Sequence, residues 1–231
     1  MRILFTTLLF FILTIFPSRA QTENFSKWSI RVNATNILIN ESDPIEGGDL
    51  VMSNEFGFEF GLNYFFTKNI STNFSLGYSN HETKIQYSDF EQHRYPIGDV
   101  IMVPLNLSFQ YYFILNHFRP YVGAGINYTH FYVKEEELIG GVNGAEFDST
   151  LGFTLQGGVI YDINKKWFVS FDIKQMFIST DMTTYHGWCG TPAKSTYTKV
   201  AVPCPDYNVE DVVNKVDINP LSIGLGIGYK F

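Results

Sequence analysis

Apolar and polar residues alternate along the last stretch of the chain, from Val216 to Phe231. Most odd positions after Asp217 are large and apolar, whereas the even positions include glycines at 224, 226 and 228. Successive side chains on a β-strand point to opposite faces, so the pattern predicts a strand with one apolar face and one small, polar face. Glycines make a poor soluble core, and they suit the crowded inside of a small barrel whose outside meets lipid.

Seven earlier segments alternate in the same way, which makes eight in all. They are Lys27 to Leu38, Glu55 to Phe66, Ile70 to His81, Ile101 to Phe113, Arg119 to Tyr132, Thr150 to Ile163 and Trp167 to Ile178. The connections between segments are alternately long and short, and each segment is long enough to cross a bilayer at a tilt. The sequence therefore predicts an all-β fold, an eight-stranded antiparallel up-and-down transmembrane β-barrel with short periplasmic turns and long extracellular loops. A secreted sandwich or lipocalin-like barrel is the alternative.

The first twenty residues have the pattern of a secretory signal peptide. Arg2 gives a basic start, Ile3 to Phe16 carry no charge, and small residues precede the expected cleavage after Ala20. The predicted organisation is a signal peptide at residues 1–20 and one barrel domain at residues 21–231. The predicted location is the outer membrane of a Gram-negative cell, with the barrel crossing it many times and outer-membrane lipids around it.

The composition excludes some partners. Without Arg2 and Arg19 the chain has 14 basic and 23 acidic residues, a net charge of −9, and it shows no basic stripe of the kind that binds nucleic acid. Aromatic residues make up 17% of the chain, which is high for a soluble domain and typical of membrane interfaces. The sequence does not define an oligomeric state.

Two cysteines, Cys189 and Cys204, lie in the longest predicted loop. An oxidising compartment and an even count favour a disulfide between them, with free thiols or a metal site as alternatives. His186 is near, but neither cysteine has a histidine at zinc-finger spacing, so we expect no metal ion.

The inward positions near the outer mouth predict an apolar cup. Methionines are flexible, and concave apolar surfaces commonly bind small molecules, so the cup is a candidate site for small hydrophobic ligands. The alternative is that these side chains only fill the barrel top. Because Pro104 and Pro220 cannot donate hydrogen bonds, they are also candidates for a lateral exit into the bilayer, although ordinary bulges explain them as well. The cup residues are Met102, Pro104, Phe131, Met176, Ile178, Ile218 and Pro220.

Charged residues occupy inward positions deeper in the predicted barrel. Arg31, Glu59, Asp172 and Lys174 are expected to form one ion-paired network, because buried charges must be paired. A structural role is favoured over a proton relay or catalysis. Eight strands leave an interior that side chains nearly fill, which argues against a general porin. No histidine has a spacing that ties it to a serine and a carboxylate, so we expect no catalytic residues, no cofactor and no enzyme, with a lipid-modifying barrel as the disfavoured alternative.

Three blocks of sequence resemble the OmpW family of small outer-membrane β-barrels. They are Arg119 to Tyr128, Trp167 to Lys174 and Val216 to Phe231, and Pro104 before Leu105 to Ser108 is similar too. The cysteine-bearing loop and the Phe-rich second segment depart from the family pattern. The resemblance implies a narrow, porin-like conduit or binding protein that passes small hydrophobic molecules from outside towards the bilayer. It also implies the alternative of a structural, adhesive or receptor barrel that works through its loops. The final Phe231 resembles the signal that the barrel assembly machinery recognises.

Overall fold

The structure is a computed structural model that describes residues 26–39, 43–45, 48–87, 94–135, 142–186 and 210–231. The predicted signal peptide and both cysteines, Cys189 and Cys204, lie outside the described residues. Within these ranges, no helix is long and apolar enough to cross a membrane. The strands are β1 (Trp28–Leu38), β2 (Asp43–Ile45), β3 (Gly48–Met52), β4 (Glu55–Phe65), β5 (Ile70–Tyr87), β6 (Arg94–Tyr112), β7 (Phe118–Glu135), β8 (Val142–Phe147), β9 (Thr150–Asp162), β10 (Trp167–His186), β11 (Glu210–Ile218) and β12 (Leu221–Lys230).

Eight long strands close into a ring in the order β1, β4, β5, β6, β7, β9, β10, β12, and β12 pairs with β1. Every pairing in the ring is antiparallel, and the closing ladder runs from Ser29 opposite Lys230 to Leu38 opposite Leu221. Closure pairs the backbone groups of both edges, which a strand in hydrocarbon requires. The predicted eight-stranded antiparallel barrel is confirmed.

The predicted alternation sets the two faces of the ring. Large apolar side chains point outward and stay exposed, as with Phe56 at 78% and Leu225 at 66%. The inward glycines make room for bulky neighbours in the lumen. A Cβ added at Gly228 would lie 2.1 Å from Cζ of Phe168, a clash that leaves no space for any larger residue.

Several strands extend beyond their predicted ends, on the side of the long connections. β5 continues to Tyr87, β6 begins at Arg94 and β10 continues to His186, while β2, β3 and β8 form inside predicted loops. These extensions carry polar or charged residues on their outward face, as with Glu82 and Asp181, because that face meets water above the bilayer. The apolar outward stripe therefore ends before the strand does.

The last predicted segment, Val216 to Phe231, is two strands and not one. β11 ends at Ile218 and β12 begins at Leu221, with Asn219 and Pro220 between them. Proline has no N–H to give to a ladder, so the pairing with β10 is interrupted there. It resumes on the far side in the same register, with Ile178 opposite Ile218 and Gln175 opposite Leu221.

Candidate functional site in the barrel lumen

The outer end of the lumen is filled by one apolar cluster, here called the outer apolar cluster. Five of the seven predicted cup residues belong to it, namely Met102, Phe131, Met176, Ile178 and Ile218. Pro104 and Pro220 are buried at its membrane side. The other members come mostly from positions that the sequence placed at segment ends or in loops: Ile37, Ile39, Leu50, Met52, Val100, Ala145, Phe147, Met182 and Val216.

Strands above the bilayer explain why sequence reasoning missed those members. Phe147 lies on β8, inside a predicted loop, and its ring centroid is 5.7 Å from that of Phe131. Met182 and Val216 lie on β10 and β11 and are fully buried. Every second residue from Ile178 to Met182 points inward. This alternation could have predicted the longer strand if polar residues had been accepted on its outward face.

A charged layer lies below the outer apolar cluster, and its first half joins β4 to β10. The Lys174 ammonium donates to Oε2 of Glu59, which also accepts from Ser75 Oγ at 3.2 Å. Asn33 Nδ2 donates to the other Glu59 oxygen at 3.4 Å. These bonds compensate the removal of both charges from water.

The second half of the charged layer joins β1, β7 and β10. Arg31 Nη1 donates to the Tyr121 hydroxyl at 2.8 Å, and that hydroxyl donates to Oδ2 of Asp172. Arg31 Nη2 lies 3.8 Å from Glu59 Oε1 and 3.9 Å from Asp172 Oδ2, which links the two halves. The four predicted network residues are therefore in contact, and the charges of Arg31 and Lys174 balance those of Glu59 and Asp172.

An aromatic layer closes the lumen at the end with the short turns. It consists of Phe65, Tyr112, Tyr121, Ile160 and Phe168, all buried. Below it, Asp162 accepts from Arg119 Nη2 at 3.0 Å and from Lys230 Nζ at 2.7 Å. Inward aromatic residues at strand ends were the signal for this layer, which the sequence reasoning did not assemble. Together the two lower layers block a straight path through the barrel.

The ladder between β5 and β6 has a gap beside the outer apolar cluster. It runs to Leu76 opposite Leu105 and resumes at Ser79 opposite Met102, without the pairs Gly77–Pro104 and Tyr78–Val103. The Pro104 ring occupies the lumen side, where its Cγ lies 2.9 Å from the position of a Cβ on Gly77. On the outside, Leu76 and Leu105 are exposed apolar side chains. The gap therefore lies between buried apolar residues and the apolar outer surface.

The interruption at Pro220 differs, because hydrogen bonds bridge it. Met176 N donates to Pro220 O at 3.1 Å, and Ile178 N donates to the Asn219 side chain at 3.2 Å. The Gln175 amide donates to the Asn219 carbonyl at 2.9 Å. Of the two predicted proline sites, Pro104 lies within a continuous strand whose ladder lacks two pairs, whereas Pro220 lies between two strands.

Comparison with known proteins gives the same fold and location. A model of the OmpW family matches residues 26–231. An uncharacterized outer-membrane protein, y4mB, of Sinorhizobium fredii is 31% identical over 210 residues, which cover 89% of this chain and 80% of the relative. The dibenzothiophene metabolism operon protein PahQ of Pseudomonas aeruginosa is 32% identical over 94 residues, which cover 39% of this chain and 42% of the relative.

The fold also matches a solved structure. The crystal structure of the outer membrane protein OprG from Pseudomonas aeruginosa superimposes with a TM-score of 0.66 at 19% identity, covering 89% of this chain and 96% of that one. At this identity the likeness concerns the fold alone.

Proposed function

The chain belongs to the OmpW family and forms a β-barrel in the outer membrane, and from this premise we propose that it carries small hydrophobic molecules from outside the cell sideways into the bilayer. The observation that supports this route is the order of the layers in the lumen. An apolar molecule that entered the outer apolar cluster would meet the paired charges of Glu59 and Lys174 below it. Displacing those bonds without replacing them costs several kcal/mol, so a straight passage is disfavoured.

The ladder gap at Pro104 is the proposed exit. Met102, a member of the outer apolar cluster, lies two residues from Pro104 on the same inward face of β6. Leaving through the gap would keep an apolar molecule among apolar side chains from lumen to lipid. No buried charge has to be desolvated or unpaired on that path.

The cluster also suits a loosely defined ligand class. Met52, Met102, Met176 and Met182 line it, and flexible thioether side chains adapt to apolar ligands of different shape. The name of PahQ connects that relative to dibenzothiophene metabolism, which makes dibenzothiophene a reasonable first probe. We propose flat or elongated apolar molecules as the substrate class.

Replacing Pro104 with Val tests the exit. Valine restores an N–H and suits a strand, so the Pro104→Val protein should pair Gly77 and Tyr78 with β6 and close the gap. Dibenzothiophene uptake is measured in a host strain that lacks its own OmpW-family protein, with the wild-type barrel, each variant or no barrel. We expect Pro104→Val to lower uptake towards that of cells without the barrel.

Pro220→Val is the matched control, because hydrogen bonds already bridge that interruption, and it should leave uptake near the wild-type rate. Wild-type uptake by Pro104→Val would contradict the lateral exit. Equal uptake with and without the wild-type barrel would contradict transport itself and favour a surface role for the extracellular strands.

A further inference from the structure

The end of the barrel with the short turns carries the opposite charge to the rest of the chain. The whole sequence has 16 basic and 23 acidic residues. At this end, the described residues 26–28, 64–70, 112–119, 161–168 and 229–231 have the single carboxylate side chain of Asp162. The same residues include six basic side chains, Lys27, Lys68, Arg119, Lys165, Lys166 and Lys230. Short turns face the periplasm in outer-membrane barrels, so this is the periplasmic end.

Asp162 pairs with two of these cations, Arg119 and Lys230. Four other lysines at this end, Lys27, Lys68, Lys165 and Lys166, are exposed and are here called the lysine rim. The rim lies among exposed aromatic residues, and the Lys166 ammonium sits 5.8 Å from the centre of the Tyr229 ring. Aromatic residues mark the level of lipid headgroups, so the rim is at the height of the phosphates.

A crevice opens on the lipid-facing surface next to this rim. Its volume is about 480 Å³, and it spans the outer faces of β5, β6 and β7. Exposed side chains of Ile70, Phe109, Tyr111 and Val122 form its walls, and the small Ala124 leaves the space between them. Ile70 is the first residue of β5, directly after the turn that carries Lys68. The crevice therefore lies in the apolar band next to the turn that carries Lys68.

We propose that this surface binds an anionic phospholipid of the inner leaflet, with one acyl chain in the crevice and the headgroup phosphate at Lys68. The apolar walls match the chain, and the Lys68 ammonium beside the crevice matches the negative phosphate. A zwitterionic lipid fits the crevice equally but gains less from the rim, so headgroup charge should decide occupancy. This site lies outside the lumen and does not depend on the proposed transport.

Native mass spectrometry of the purified full-length barrel in non-ionic detergent tests the proposal. The protein is mixed with equal amounts of phosphatidylglycerol and phosphatidylcholine of the same chain length. The wild type should retain phosphatidylglycerol in preference to phosphatidylcholine. We expect Lys68→Gln to lower phosphatidylglycerol retention by about fivefold, the effect of one lysine near an anionic lipid. Lys134→Gln, at an exposed position near the opposite end, should leave retention unchanged.

The crevice is tested separately by filling it. Ala124→Phe should lower retention of both lipids, whereas Ala34→Phe, the same substitution at an outward position on β1, should not. Faster migration of the unboiled protein on a denaturing gel verifies that each variant is folded. Equal retention of the two lipids by the wild type, or full retention by both Lys68→Gln and Ala124→Phe, would overturn the site. A protein dimer that Ala124→Phe dissociates would show instead that a second barrel occupies the crevice, and would overturn it too.

Discussion

Glu59 and Lys174 meet inside the barrel although 115 positions separate them in the chain. Alternation predicted that both point inward, and the cost of burying an unpaired charge predicted that each has a partner. The contact itself depends on the ring, in which β1 and β12 stand between β4 and β10. The closed fold therefore brings together residues that the sequence only identifies as needing a partner.

Removing one partner of this ion pair should destabilise the barrel strongly. Glu59→Gln leaves the Lys174 ammonium buried without its carboxylate, and we expect a loss of about 3 to 5 kcal/mol in the free energy of unfolding. Urea titration in detergent micelles measures that loss. Glu55→Gln on the same strand is the control, because Glu55 is only half buried and bonds to Ser53 at the protein surface.

The double variant Glu59→Gln with Lys174→Met separates pairing from packing. Removing the ammonium as well should recover much of the lost stability, since no buried charge then remains unpaired. A double variant no more stable than Glu59→Gln alone would mean that the pair acts through shape and not through charge.

At the scale of strands, the sequence predicted the segments whose outward face is apolar because it contacts lipid. Each of the eight membrane-crossing strands has an apolar outward stripe. The sequence predicted each of these strands and the face that points inward. Above the bilayer the outer face meets water and no longer needs an apolar stripe, so the strand pattern there depends on the inner face. β8 and the part of β11 before Val216 were therefore read as loop, although Ala145 and Phe147 on β8 kept the inward pattern.

Two substitutions on β11 test this pattern. Val216 is fully buried in the outer apolar cluster, whereas Val213 is 61% exposed on the opposite face. Val216→Asp buries a carboxylate without a partner. This should destabilise the β10–β11 pairing by several kcal/mol. Hydrogen exchange should speed up at residues 178–186 and 212–218 and stay slow at residues 167–175, which pair with β12.

Val213→Asp places the same carboxylate in water and should leave all three regions protected. Equal effects of the two substitutions would contradict the assignment of inner and outer faces above the bilayer.

At the scale of the whole molecule, the ring order, the charged network and five members of the outer apolar cluster were predictable, because lipid, water and buried charge each impose a simple pattern. The choice between Pro104 and Pro220 was not. Both lack an N–H, and only the folded ladder shows that the Asn219 side chain bridges one interruption. The aromatic layer was missed for a related reason, since Phe65, Tyr112 and Phe168 come from β4, β6 and β10 and meet only in the folded barrel.

Lateral release at the gap between β5 and β6 is tested most directly by a reversible disulfide across that gap, here called the staple. Tyr78 and Val103 face each other there by the register on either side, so Tyr78→Cys with Val103→Cys places two thiols across the gap. Cys189→Ser and Cys204→Ser remove the natural cysteines. The control carries the same staple at Ile126 and Phe153, an outward pair on an intact ladder. Dibenzothiophene uptake should stop when the gap staple is oxidised and return when it is reduced, with no change in the control. Equal uptake in both redox states of the gap staple would contradict release through the barrel wall.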